Sequence, residues 1–303
     1  LSKKRAICPY ANAHGLFYAN TVLKFALYLS ALLSLLAALL APAFLLHASI
    51  PFWQAAGIRS IWGGEWHPYE HLYGLMPAIV GTAWAMLIAL IIAVPGAIAA
   101  AIAASEMLPQ ALAEHARIGM QALAGIPSIV YGLIGLWVLL PLLQSTFDML
   151  TGHSLLAAGL MLALMILPTI MLMSMDALQR ISGEQREAGL SLGLDWPQQL
   201  SRILLPQAWP GIRSGILLAL GRALGETMAV MLVVGSMDRL PQPIYNILEP
   251  AQTLTSRIGR EIGEAAFGSV HFSALMATGL MLALMGLGAS LLANHNADFS
   301  RQA

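Results

Sequence analysis

Arg222 and Glu226 stand in the run ALGRALGETMAV, inside an apolar stretch from Ile212 to Met237. A charge near the centre of a bilayer costs about 2.5–3.5 kcal/mol on insertion scales, so two of them need a reason. Their i, i+4 spacing predicts one helix face and an ion pair. Arginine presents a planar, permanently charged fork suited to oxyanions. Glu226 would then position that fork and occupy it when substrate is absent. Thr227 adjoins them, and the three form a candidate substrate path. A structural pair that only neutralises itself is the competing reading.

Other chemistry is missing from the residue types. The only lysines are Lys3, Lys4 and Lys24, and none lies in G-x4-G-K-[ST], the loop that cradles phosphates in ATPases. The chain is therefore expected not to be an enzyme, with ATP hydrolysis left to another subunit. His67 and His71 are four apart and His295 is remote, without the HExxH spacing or clustered acidic ligands. No metal or cofactor is expected. Trp62, Trp66 and Tyr69 read as interface aromatics. Cys8 is the single cysteine, which excludes an intrachain disulfide framework.

These residues need elements to carry them, and composition says which. Of 303 residues, 58% are hydrophobic and 10% charged, against about 25% charged in soluble proteins. That excludes an ordinary cytosolic enzyme, and it excludes disorder, which needs high charge and low hydrophobicity. Fifteen basic residues balance fifteen acidic ones, so nothing steers nucleic acid. Runs without charge fall at Phe25–Leu46, Glu70–Glu106, Arg117–Asp148 and Asp148–Asp176, with further apolar stretches at Ile212–Met237 and Phe272–Ala293. A spanning helix needs roughly 20 such residues. The expected fold is all-α, a polytopic membrane protein of about six transmembrane helices. The second run exceeds one span, so it should tilt, kink at Pro95-Gly96 or begin in the interface. The first exceeds a signal-peptide core of about 7–15 residues and reads as a retained span.

Lysine and arginine in the loops set orientation. Lys3, Lys4, Arg5, Arg117, Arg180, Arg186, Arg202, Arg213 and Arg301 lie on one side, against Arg59, Arg239, Arg257 and Arg260 on the other. The first set predicts both termini in the cytoplasm. Gly211/Gly215 and Gly221/Gly225 sit four apart, the small-residue spacing that lets helix backbones approach. In the outer segment 238–271, Leu254, Ile258 and Ile262 predict an amphipathic helix, with Arg257/Glu261 and Arg260/Glu264 as i, i+4 pairs. It would rest on the membrane surface or rim a docking site.

The inner stretch 177–211 predicts two short helices turning at Gly193. Leu190 and Leu194 share a face, followed by Leu200, Ile203 and Leu204. Such apolar positions on an exposed hairpin suit a partner's groove. Glu187, Ala188, Gly193, Ile203, Leu205 and Pro206 fall in register with E-A-A-x3-G-x9-I-x-L-P, with Gly189 replacing the second alanine. The stretch thereby resembles the coupling loop of permease subunits of bacterial ABC importers, which inserts into the ATPase. The segments GGEWHP, YGLMPAIVGT, AGIPSIVYGLIGL, LPTI, GRALGETMAV and TLTSRIGREIGEA are similar to permeases of phosphate-specific importers of the PstC type. GETMAV is closer to these than to PstA partners, which usually continue GETAP.

The resemblance implies a type I ABC importer permease-like fold, with an N-terminal segment and first helix at 1–60 and the permease domain at 61–295. It implies translocation of inorganic phosphate across the bacterial inner membrane by alternating access. Glu187, Ala188, Gly189 and Gly193 would couple to the ATPase, and Arg222 and Glu226 match the family's intramembrane arginine and glutamate. Implied partners are a PstA-like second permease, an ATPase subunit dimer, an extracytoplasmic phosphate-binding protein and membrane lipid. A permease for sulfate or molybdate, and a carrier acting alone, are the alternatives.

Overall fold

A computed structural model describes the backbone of residues 13–302 and the side chains of 23–291. Lys3, Lys4, Arg5 and Cys8 lie outside the described residues, as do the side chains of His295 and Arg301. Helix α1 (Ala13–Ala56) leads into a two-stranded antiparallel ribbon, β1 (Trp66–His67) and β2 (Leu72–Tyr73), with Trp66 opposite Tyr73. Then follow α2 (Met76–Ile102), α3 (Gln110–Ala124), α4 (Ser128–Ile134), α5 (Leu140–Phe147) and α6 (Leu155–Gln179). The chain continues through α7 (Gly183–Ser191), α8 (Trp196–Gln199), α9 (Leu205–Leu224), α10 (Met228–Val233), α11 (Leu254–Glu261) and α12 (Val270–Gln302).

Among the described residues, six helices are long and apolar enough to cross a membrane: Leu23–Ala56, Met76–Met107, Ser128–Phe147, Leu155–Gln179, Trp196–Leu224 and Val270–Leu291. The expected count of six holds. The fifth is displaced. It begins at Trp196, inside the stretch read as a loop, and stops at Leu224, thirteen residues short of Met237. Arg202 and Arg213, counted above with the inner segments, therefore lie on this helix.

Among the described residues, three π-helical turns interrupt the helices, at Ala103–Met107, Gly135–Leu139 and Leu200–Leu204. Each ends two residues before a proline: Pro109, Pro141 and Pro206. A proline ring clashes with the carbonyl four residues back. Those carbonyls belong to Ser105, Trp137 and Arg202, each in the middle of a wide turn, where the clash is relieved. The last two turns let the third and fifth helices run through a proline without ending.

Small residues set the core. Ala85, Ala89, Ala93, Ala97 and Ala101 form a buried stripe every fourth residue on α2, and α6 packs along it. With little hydrophobic drive between helices in lipid, such stripes supply close van der Waals contact instead. Gly159 on α6 sits so near Ile88 that an added Cβ would lie 2.5 Å from its Cγ2. Further along α6, Gly211 and Gly215 of α9 press on Ala177 and Met173. That half of the glycine expectation holds. Gly221 meets nothing within 4 Å and Gly225 meets only the carbonyls of its own helix, so their face is open rather than packed. α1 lies against α12, and Phe52, Trp66, Tyr73 and Leu75 join Ala274, Leu275 and Ala277 in a second core.

Candidate functional site

The fifth helix breaks where its two charges sit. After Leu224 the turn closes with Gly225 N–H on the Gly221 carbonyl and Glu226 N–H on the Ala223 carbonyl, both at 3.2 Å. The chain then restarts as α10. A new helix leaves its first N–H groups without intrahelical acceptors. Glu226 fills that need: its Oε1 accepts from Ala229 N–H at 3.0 Å, and the residue is buried. The expected Arg222–Glu226 pair is therefore not formed. Helical spacing failed as a guide because the helix ends between the two residues.

Arg222 turns the other way. Its Nη2 donates to the Ala124 carbonyl at 3.3 Å, the last residue of α3. A helix C-terminus carries orphan carbonyls and partial negative charge, so it holds a guanidinium without neutralising it. That is the one hydrogen bond Arg222 makes among the described residues. Arg222, Gly221, Leu217, Leu218 and Thr169 line an open recess of ≈ 530 Å³. Thr227 is half-buried, with its Cγ2 against Gly259 of α11, where a Cβ would lie 2.7 Å away.

Residues 252–257 brace the break from behind. Thr255 Oγ1 donates to the Glu226 carbonyl at 2.8 Å, and Leu254 N–H donates to Thr82 Oγ1 at 2.9 Å. Thr253 caps α11 reciprocally with Ser256. Gln252, Thr253, Thr255, Ser256 and Arg257 are all buried. This corrects the surface-helix expectation: α11 is enclosed against α2, α10 and α12.

Arg257 is wholly buried. Its guanidinium carbon lies 4.2 Å from the centre of the Trp66 ring; Nη1 donates to the Gly74 carbonyl and Nη2 to Asp238 Oδ1, each at 3.1 Å. Burial pushes its pKa down, and Asp238 pushes back. Arg260 donates to Asp238 Oδ2 at 2.5 Å and to Glu261 Oε1 at 2.8 Å. Trp66 Nε1 and His271 Nε2 both reach Glu261 Oε2 at 2.9 Å. Burial works against ionisation of Glu261, but hydrogen bonds from Arg260, His271 and Trp66 outweigh it and hold the carboxyl below its ordinary value. Neither i, i+4 pair on α11 forms, because Asp238, thirteen residues before Ala251, supplies the partner instead. Of the aromatics expected at the interface, Trp62 and Tyr69 are exposed and Trp66 is core.

At the other end of α2, α7 closes with a glycine motif. Leu194 N–H reaches the Gly189 carbonyl at 3.3 Å and Gly193 N–H the Leu190 carbonyl at 2.9 Å. Gly193 has φ +75°, the left-handed conformation this turn requires. Asp195 and Gln198 then form a capping box at the start of α8. Gly189 lies under Ile203, whose Cδ1 would be 2.7 Å from an added Cβ, which accounts for glycine in place of alanine. Glu187 and Ala188 are exposed, as are Leu190, Leu192 and Trp196. Leu204, further along, points into the core beside Leu178 and Ile212, unlike the exposed Leu190.

Residues 94–299 match the family model described as binding-protein-dependent transport system inner membrane component. A probable ABC transporter permease, YqgH of Bacillus subtilis, is 36% identical over 223 residues, covering 73% of this chain and 71% of that one. The phosphate transport system permease protein PstC of Mesorhizobium japonicum is 35% identical over 252 residues, covering 76% of each. That of Pasteurella multocida is 35% identical over 248 residues, again 76% of each. Among solved structures, a chain of a bacterial alginate ABC transporter aligns over 94% of this chain and 96% of its own, with TM-score 0.64 and 17% identity. A chain of the MetNI methionine ABC transporter aligns over 74% and 93%, with TM-score 0.54 and 16% identity. These two likenesses concern the fold.

Proposed function

The chain belongs to the binding-protein-dependent transport system inner membrane components, and from that premise we propose that it moves inorganic phosphate through the membrane beside a second, PstA-like permease. A permease of an ABC importer works with an ATPase and a substrate-binding protein. Relatives named as phosphate permeases, matched over three quarters of the chain, carry the choice of phosphate over sulfate or molybdate.

The break at Gly225 supports a path at this point of the bundle. Gly221 and Gly225 leave the α9 face without cover, and Arg222 presents unpaired guanidinium donors to the recess beside it. A tetrahedral oxyanion would take those donors in bidentate fashion. Glu226 and Thr227 act through shape: one caps α10, the other packs on α11, and together they fix where α9 stops. The uncovered face is where the second permease would complete the path, and alternating access would open it to one side at a time.

Glu187, Ala188, Gly189 and Gly193 form the coupling element. Exposed Leu190, Leu192 and Trp196 give its tip an apolar surface that a groove on the ATPase dimer would cover. This assigns the α7 end to the cytoplasm, along with both termini, in a bacterial inner membrane. The α11 end would face the phosphate-binding protein. Phosphate uptake by the reconstituted complex tests the path. Arg222→Lys keeps the charge and loses the fork, so uptake should fall with assembly intact; unchanged uptake would remove Arg222 from the path.

A further inference from the structure

One arginine fastens α7 to the bundle. Arg186 Nη1 donates to Glu106 Oε2 at 2.6 Å, and Nη2 donates to the Leu178 carbonyl in the last turn of α6 at 3.0 Å. Its own carbonyl accepts from Gln199 Nε2 at 2.8 Å. A single residue thus joins α7 to the end of α2, the end of α6 and the start of the fifth helix. The Glu106 side chain is 7% exposed, and its Oε1 has no hydrogen-bond partner among the described residues. Arg186 is its one ion-pair partner among the described residues. A buried carboxylate is tolerated only when paired, so pulling α7 away from α2 would strand a charge.

What α2 holds at its other end gives this contact its reach. From Glu106 the helix runs without a gap to Thr82, about 36 Å at 1.5 Å per residue. Thr82 binds Leu254 N–H. Gly81 lies so close to Gln252 that a Cβ would sit 2.0 Å from its carbonyl oxygen. Thr255, one residue beyond Leu254, holds the Glu226 carbonyl in the break. The alanine stripe keeps α6 on α2 along the way. By contrast, α7 meets the fifth helix through Ile203 on Gly189 and the single Gln199 hydrogen bond.

We infer that the Arg186–Glu106 pair is the joint that makes α7 move as one body with α2 and α6. Arg186 is then a positioning residue, through which displacement of α7 reaches residues 252–255 and the break at Gly225. This rests on the proposed docking of α7 on the ATPase.

The test uses the whole reconstituted complex carrying Ser191→Cys on the exposed side of α7, so that crosslinking to the ATPase reports docking. Glu106→Gln, Arg186→Gln and the exchange Glu106→Arg with Arg186→Glu are compared for phosphate moved per ATP hydrolysed. Each single variant should keep the crosslink and its ATP hydrolysis while that ratio drops about tenfold, a size that coupling positions show. The exchange should recover most of the loss. A residue that only supports folding would lower transport and hydrolysis together and leave the ratio unchanged. If Glu106→Gln does not assemble, Arg186→Gln decides by the same ratio, and Arg186→Lys, which keeps a charge for Glu106, should lose less than Arg186→Gln. A normal ratio in the single variants, or an exchange no better than either, would overturn the joint. Failure of the Ser191→Cys crosslink in the otherwise unaltered complex would overturn the docking of α7, and the joint with it.

Discussion

Replacing Glu226 by glutamine separates a helix cap from an ion pair. If Glu226 neutralised Arg222, the substitution would leave a buried charge unpaired, at about 3–5 kcal/mol. The geometry gives a smaller figure. Glutamine keeps an oxygen where Oε1 accepts from Ala229 N–H. A hydrogen bond to a charged group contributes about 1.5–3 kcal/mol and a neutral one about 0.5–1.5, so the expected loss is roughly 1 kcal/mol. Glu226→Leu removes the acceptor and should cost the larger amount, about 2 kcal/mol. Arg222→Met should add to either change with a coupling under about 0.5 kcal/mol, as for sites that share no contact. Titrating the purified protein and each single and double variant with SDS in mixed micelles, and following unfolding by tryptophan fluorescence, gives these losses and couplings. A coupling of 2 kcal/mol or more between positions 222 and 226, or rescue of Glu226→Gln by Arg222→Met, would refute the cap and restore the pair.

Gly193→Val has open space but the wrong backbone conformation, since φ is +75° there; left-handed geometry costs an L-residue about 1–2 kcal/mol. Stimulation of ATP hydrolysis by the loaded binding protein should drop while membrane insertion, read by detergent extraction and blotting, persists, and Gly193→Asn should drop less. Acid should loosen the α11 end. Glu261 sits below the ordinary glutamate value of 4.5, so its contribution is complete above about pH 4.5 and is lost as pH falls through the lower folded value. Trp66→Phe deletes one of its donors and should move that loss to higher pH, measured as the midpoint of acid-induced proteolysis between α10 and α12. Asp238→Asn leaves the buried Arg257 guanidinium without its carboxylate, and yield of the assembled protein should fall severely; normal yield would show that the Trp66 ring and the Gly74 carbonyl suffice.

Charge gaps located the spans because excluding Asp, Glu, Lys and Arg over 20 residues is a demand of lipid itself. The turn after α7 was legible for a local reason: Gly193 and the residues before it form it from neighbours in sequence. The break at Gly225 was not. Apolar character continues from Ile212 to Met237 on both sides of it, and Glu226, whose spacing suggests a partner for Arg222, instead caps the restart of the helix at Ala229 N–H. The α11 cluster was missed because its partners come from distant places: Gly74 before α2, Asp238 after α10 and His271 at the start of α12. Three prolines did carry a signal, since each π turn lies where the carbonyl four residues before a proline must be accommodated.

The central claim is that this chain forms the phosphate path of an ATP-driven importer. Proteoliposomes holding the chain with its second permease, ATPase and loaded binding protein allow one decisive reading: accumulation of labelled phosphate, with sulfate and molybdate as competitors. The account predicts accumulation that requires ATP, resists a large excess of both competitors and nearly vanishes with Arg222→Lys at equal complex levels. Accumulation without ATP, or equal displacement by sulfate, would contradict it.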